Sequence, residues 1–301
     1  MPRLRSGLAL TTMAMTLVLI LFGGLVTNTG AALAVPDWPS TFGHNMFLYP
    51  WSGMVGGVFY EHSHRLLGAL VGALTVALAV VLWPTGGRLR WLGLLAVGSV
   101  VAQGVLGGLR VVLLNDSLAL VHGCLAQAFL ALLVILAVLT SPRGTGTGAP
   151  VDASLRTLTL MAAGLVYAQI VLGALLTHTG RVDLHLVGAV AVFTLVPAVT
   201  ARWRRLAGPV AAPLVRGLLV LLGVQLALGL GAFLARFSSI ALPGGQSTVL
   251  ALPVAHRLVG SLILAAVVAL SVRAMTVGLV PSGAVVDAVG GTPFATGSSH
   301  R

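Results

Sequence analysis

The sequence predicts an all-α integral membrane protein, eight transmembrane helices forming two tandem four-helix bundles with both termini cytoplasmic. Three observations carry that class. Only 8% of the 301 residues are charged, 57% are hydrophobic and the mean hydropathy is +1.05, whereas a water-soluble globule has a charged fraction of about a quarter. Eight runs reach the length of about 20 apolar residues that a helix needs to cross the hydrocarbon core. Sequence features of the first four runs also return in the last four.

The runs fall at 8–27, 63–83, 91–113, 118–140, 155–177, 183–201, 213–235 and 249–275. The first follows Arg3 and Arg5 and resembles a signal peptide, but no convincing cleavage site follows it, and it is read as a retained helix. A loop from about 28 to 62 carries Asp37, Trp38, Trp51, Tyr60 and Glu61 and contains no Arg. Its aromatic residues suit the headgroup level. Gly144 to Pro150 reads as a Gly/Thr/Pro linker, and the last 25 residues lose the apolar pattern and read as a disordered tail. The expected organisation is an N-terminal half at 1–143, a linker at 144–154, a C-terminal half at 155–276 and a tail at 277–301.

All 17 basic residues are Arg against 6 acidic ones, and the pI is 11.7. They lie between apolar runs, which favours a membrane surface over a nucleic-acid groove. With eight spans both ends share a side. That side holds Arg3, Arg5, Arg88, Arg90, Arg143, Arg156, Arg202, Arg204, Arg205, Arg216, Arg273 and Arg301, while the other holds only Arg65, Arg110, Arg181, Arg236 and Arg257. Positive charge marks the cytoplasm. The single cysteine, Cys124, excludes an intramolecular disulfide, a CxxC pair and a cysteine-rich zinc site.

Q-x-x-L-G occurs at Gln103 to Gly107, Gln169 to Gly173 and Gln225 to Gly229, each near the outer end of an odd-numbered span. Each even-numbered span begins with a histidine: His64, His122, His185 and His256. His64-Arg65-Leu66-Leu67-Gly68 nearly repeats as His256-Arg257-Leu258-Val259-Gly260. This suggests a duplicated four-helix unit, against the alternative that small and apolar residues recur by chance in a biased composition.

Ionisable side chains within a membrane span point to function and to the bundle interior. From the four histidines to the next cytoplasmic Arg the chain counts 24, 21, 17 and 17 residues, which at about 1.5 Å per residue sets them in one outer layer. Four imidazoles at one depth make two pairs, each able to hold a porphyrin iron. Zinc would want an i,i+3 or i,i+4 pair or a carboxylate on the same helices. Arg65 and Arg257 suit bidentate pairing with a heme propionate and equally suit snorkelling to headgroups. For Arg110, Arg181 and Arg236 snorkelling is preferred, and His44, His62, His178 and His300 read as structural or surface residues.

Glu61, the chain's sole Glu, stands three residues before His64 and would share its helical face. The second half has no equivalent, since Pro253 precedes His256 by three and Asp183 lies off the face of His185. This asymmetry suits one site that does chemistry and one that passes electrons. A simpler role is an acid stabilising a helix N-terminus.

Glu61-His62-Ser63-His64-Arg65 resembles an E-x-x-H-R motif, Pro36-Asp37-Trp38-Pro39 resembles a PDWP loop, and His122, His185 and His256 open spans four, six and eight. Together these resemble the heme A synthase family over nearly the whole chain. The resemblance implies a bacterial inner-membrane oxidoreductase of cytochrome oxidase assembly, with heme sites toward the outer side. It would oxidise the C8 methyl of heme O to a formyl group in two steps. By the same resemblance His64, His122 and Arg65 hold the substrate heme O, His185, His256 and Arg257 hold a cofactor heme b, the four histidines ligate iron, and Glu61 is catalytic. Partners to test are the lipid bilayer, heme O, an electron acceptor, a heme O synthase and a second copy of the chain; nucleic acid is not expected. One departure stands out: many bacterial members carry a cysteine pair around PDWP, whereas here Val35 precedes it and Ser40-Thr41 follow it. A di-heme b-type electron-transfer protein would use the same histidines. A transporter is a further alternative, though the repeat relates spans of like direction. Prenyl transfer lacks its Asp-rich motifs.

Overall fold

A computed structural model describes residues 1–141, 151–206 and 212–276. The Gly144 to Pro150 part of the expected linker, Arg143, the 277–301 tail, His300 and Arg301 lie outside the described residues. The eight helices are α1 Pro2–Asn28, α2 Gly57–Leu82, α3 Gly87–Leu113, α4 Asp116–Thr140, α5 Ala153–Thr179, α6 Val182–Leu206, α7 Ala212–Phe237 and α8 Gly245–Thr276. All eight are long and apolar enough to cross a membrane. Among the described residues there is no strand, only an isolated bridge between Thr41 and His44. The chain is a multi-pass, all-helical membrane protein.

The helices overrun the apolar windows because polar residues at their ends remain helical. α1 includes Arg3 and Arg5, and Arg5 Nε reaches the Val81 carbonyl at 3.4 Å. The largest difference is at α2, which begins at Gly57 rather than near residue 63, so Tyr60 and Glu61 are helical and do not belong to the loop. Short connections have local causes. Leu114 takes a left-handed conformation (φ 51°) and Asn115 accepts the Ser117 N–H at 2.9 Å, so α3 turns into α4 within two residues. Asp152 caps α5 by accepting the Leu155 N–H at 2.7 Å and pairs with Arg202 of α6 at 3.1 Å.

Two apolar cores form away from the histidine end. One joins Ala9 of α1, Val71, Leu78 and Leu82 of α2, Ala96 of α3 and Phe129, Leu133 and Leu136 of α4. The other gathers α5 to α8 around residues such as Leu155, Val196, Leu218 and Leu264, and also takes Val134 and Val138 from α4. α4 therefore serves both cores from opposite faces. It also packs on α5 and α8, and α1 packs on α8. Polar ties cross the second core: Trp203 Nε1 donates to Thr159 Oγ1 at 2.9 Å, and Ser271 Oγ donates to the Thr159 carbonyl at 3.2 Å. Outward apolar residues such as Val112, Val190, Val220 and Leu230 are exposed on the isolated chain, as residues covered by lipid would be.

Candidate functional site

The four histidines of the even-numbered helices meet in twos. His64 of α2 faces His122 of α4 with ring centres 6.4 Å apart, and His185 of α6 faces His256 of α8 at 6.2 Å, with ring planes crossing at 74° and 75°. Chain spacing left the pairing open; the fold decides it. Nδ1 of His64, His122 and His256 is enclosed without a hydrogen-bond partner. Among the described residues no group of three or more His, Cys, Asp or Glu converges as a multidentate metal site would need. The donors come as facing imidazoles alone.

A glycine on the preceding odd-numbered helix seats each ring. A Cβ built on Gly23, Gly107, Gly173 or Gly229 would stand 3.2, 3.4, 3.1 or 2.9 Å from Cε1 of His64, His122, His185 or His256. A methyl group would crowd the imidazole at Gly229, Gly173 and Gly23 and just touch it at Gly107. Three of these glycines end the Q-x-x-L-G repeat, and its glutamine lies four residues earlier on the same helical face. Gln103 Nε2 donates to the His122 carbonyl at 3.2 Å, and Gln169 Nε2 donates to the His185 carbonyl at 2.9 Å while standing 3.1 Å from its Nδ1. Gln225 Nε2 lies 3.3 Å from His256 Nε2. Gly188 leaves room for Gln169, since a Cβ there would collide with Oε1. The sequence displayed this repeat without its purpose. It concealed Gly23, because α1 carries Leu19 where the other odd helices have glutamine.

The loop between α1 and α2 is latched onto α2 at Glu61 and Arg65, on either side of His64 in sequence. Arg65 Nη1 donates to the carbonyls of Asp37 (2.7 Å) and Ser40 (3.0 Å), and Nη2 donates to Val35 (2.9 Å) and to Glu61 Oε1 (2.9 Å). Only its Nε–H is left over. The second oxygen of Glu61 accepts the Val35 N–H at 2.9 Å, and Glu61 is 5% exposed. Trp38 lies against Gly108 of α3, where a Cβ would overlap its ring. His62 is buried, bonds Thr41 Oγ1 through Nδ1 at 3.1 Å and packs on Tyr49, which bears out its structural reading. Asp37 organises the turn itself. Partial burial would raise its pKa, but the Gly43 N–H, the Ser40 hydroxyl and the Phe42 N–H all donate to the carboxylate and lower it to about 2.

The remaining cations differ in their surroundings. Arg181 pairs with Asp183 on the surface at 2.8 Å. Arg110 reaches Asp116 only at 3.9 Å, and Arg257 has no carboxylate partner among the described residues. Arg257 lies at the α1/α8 contact, its Cδ 3.9 Å from where a Cβ on Gly24 would stand.

Residues 52–183 match the family described as "Cytochrome oxidase assembly protein". Curated proteins named heme A synthase are similar as well. That of Alkalihalophilus pseudofirmus is 30% identical over 170 residues, covering 54% of this chain and 56% of the relative. That of Shouchella clausii is 33% identical and that of Bacillus licheniformis 35%, each over 132 residues, 42% of both chains. These matches support the heme A synthase family. The chain spans about half the length of the curated relatives it matches. The family match takes in Glu61, His64, Arg65 and His122 and ends before His185 and His256.

Proposed function

We propose that this protein is a heme A synthase, oxidising the C8 methyl of heme O first to an alcohol and then to a gem-diol, which loses water to leave the formyl group. The observation that carries this reading is the pair of ring-to-ring distances, 6.4 and 6.2 Å. Two imidazoles facing each other at this separation would be the residues to hold a porphyrin iron between them. His64 and His122 then hold the substrate, and His185, His256 and Arg257 hold a resident heme b. A heme b held there would supply a redox centre for the electrons of the oxidation.

The chain's own residues account for binding and proton handling. Gly23, Gly107, Gly173 and Gly229 seat the four imidazoles, and Gln103, Gln169 and Gln225 hold His122, His185 and His256 from the same helices. Gln169 Nε2 donates to the His185 carbonyl and stands 3.1 Å from the ring Nδ1, so it holds His185 in place. Glu61, held by Arg65 and the Val35 N–H, sets a fixed carboxylate three residues before His64. We assign it the stabilisation of positive charge that develops on the substrate, or the removal of a proton from the attacking water. Arg65 holds that carboxylate and the loop, and its Nε–H is its remaining donor toward the substrate. The proposal includes an N-terminal substrate half at 1–143, a C-terminal cofactor half at 155–276, cytoplasmic termini and a bacterial cytoplasmic membrane.

A di-heme electron carrier is the second reading, favoured by the near-identical seating of the two pairs. One experiment separates them: heme O is supplied to membranes containing wild type or Glu61→Ala, and extracted pigments are resolved chromatographically. The synthase yields heme A or its alcohol in wild type, whereas Glu61→Ala retains bound heme b without conversion. Two tightly held hemes b and no conversion by wild type would establish the carrier, and full conversion by Glu61→Ala would remove Glu61 from the mechanism.

A further inference from the structure

His64 and His256 are each followed by an arginine, a sequence parallel that casts Arg65 and Arg257 in the same role. The fold separates them. Both terminal nitrogens of Arg65 are fully engaged by three loop carbonyls and Glu61, so a bidentate partner could be taken on only by releasing the latch. The first histidine pair needs another cation if it is to receive an anionic ligand.

α3 supplies one. Gln103, which donates to the His122 carbonyl, and Gly107, which seats the His122 ring, define the stripe of α3 turned toward that histidine. Arg110 follows Gly107 by three residues and extends the stripe by one turn toward the loop. Its side chain is 19% exposed, and its Nε is enclosed with no acceptor. Among the described residues its one carboxylate neighbour, Asp116, is 85% exposed at 3.9 Å, a contact of little strength in water. The corresponding positions three residues beyond Gly173 and Gly229 are Leu176 and Ala232, and the arginine of α7, Arg236, comes a full turn later.

We propose that Arg110 is the carboxylate-binding residue of the His64/His122 site, receiving a propionate of the porphyrin bound there. This rests on the heme reading of that site. A buried guanidinium without a matched acceptor is costly alone and becomes favourable once a carboxylate occupies its free N–H groups. Arg110 thereby sets which edge of the macrocycle faces the loop, and so which methyl group is presented near Glu61.

The test uses the full-length protein as purified, titrated with iron protoporphyrin or with its dimethyl ester while the Soret band is followed. Wild type should bind the free acid more tightly than the ester. Arg110→Gln should weaken binding of the acid about tenfold or more and leave that of the ester unchanged, Arg110→Lys should restore part of the difference, and the effect should vanish in a His64→Ala background. Equal losses for acid and ester would mean that Arg110 only packs, and the assignment would fall. It would fall equally if Arg65→Gln, and not Arg110→Gln, abolished the discrimination. Wild type that develops no Soret band with either compound would defeat the heme reading and this assignment with it, an outcome distinct from binding without discrimination.

Discussion

Adding one methyl group to the glycine under each imidazole should weaken porphyrin binding in an order fixed by the four clearances. Gly229→Ala would set a Cβ 2.9 Å from His256 Cε1, Gly173→Ala 3.1 Å from that of His185, Gly23→Ala 3.2 Å from that of His64 and Gly107→Ala 3.4 Å from that of His122. At 3.4 Å the contact is close to ordinary packing; at 2.9 Å the ring must turn or a helix must move. Overpacking of this kind costs about 1–3 kcal/mol, while alanine in place of glycine improves helix stability by about 0.5–1 kcal/mol. The gain applies whether or not ligand is bound, and the crowding opposes the ligand-competent ring orientation. Gly229→Ala should therefore lower affinity at the His185/His256 site by about 5–30-fold, from about 1–2 kcal/mol, without lowering the thermal stability of the ligand-free chain. Gly107→Ala should be close to neutral. Heme content per protein and the Soret spectrum after dialysis measure both effects. If Gly107→Ala lost as much as Gly229→Ala, or if the loss fell on the other histidine pair, the seating argument would be refuted.

Two further outcomes follow from the loop. Arg65→Lys keeps the charge but loses the planar fork that reaches four acceptors; it should cost about 1–3 kcal/mol and open residues 29–56 to limited proteolysis, and unchanged protection would show that the latch does not depend on the fork. The Asp37 carboxyl, held at about 2, lies below the ordinary value of about 3.9, so its contribution is complete above about pH 4 and is lost as the pH falls toward 2. Loop opening followed by Trp fluorescence should rise across that window in wild type and show no such dependence in Asp37→Asn.

The helices were legible because crossing a bilayer demands long apolar runs, and that demand is written residue by residue. α2 begins about six residues before its apolar window, since Tyr60, Glu61 and His62 interrupt that window although they are helical. The four histidines could be picked out because an ionisable group in hydrocarbon is expensive. Their pairing was not legible, as it depends on which helices adjoin. The use of Arg65 was hidden for the same reason: a propionate and a loop carbonyl attract a guanidinium alike, and only the path of residues 35–40 shows which acceptors are in reach. Trp38 was assigned to the headgroup level by its type, and the glycine that admits it, Gly108, had no distinguishing neighbourhood in sequence.

Trp38 of the loop packs on α3 at Gly108, next to the Gly107 that seats His122, and Arg65, next to His64, holds the 35–40 turn onto α2. That turn is fastened by three hydrogen bonds from a single guanidinium, so one side chain decides whether this end of the bundle stays covered or opens.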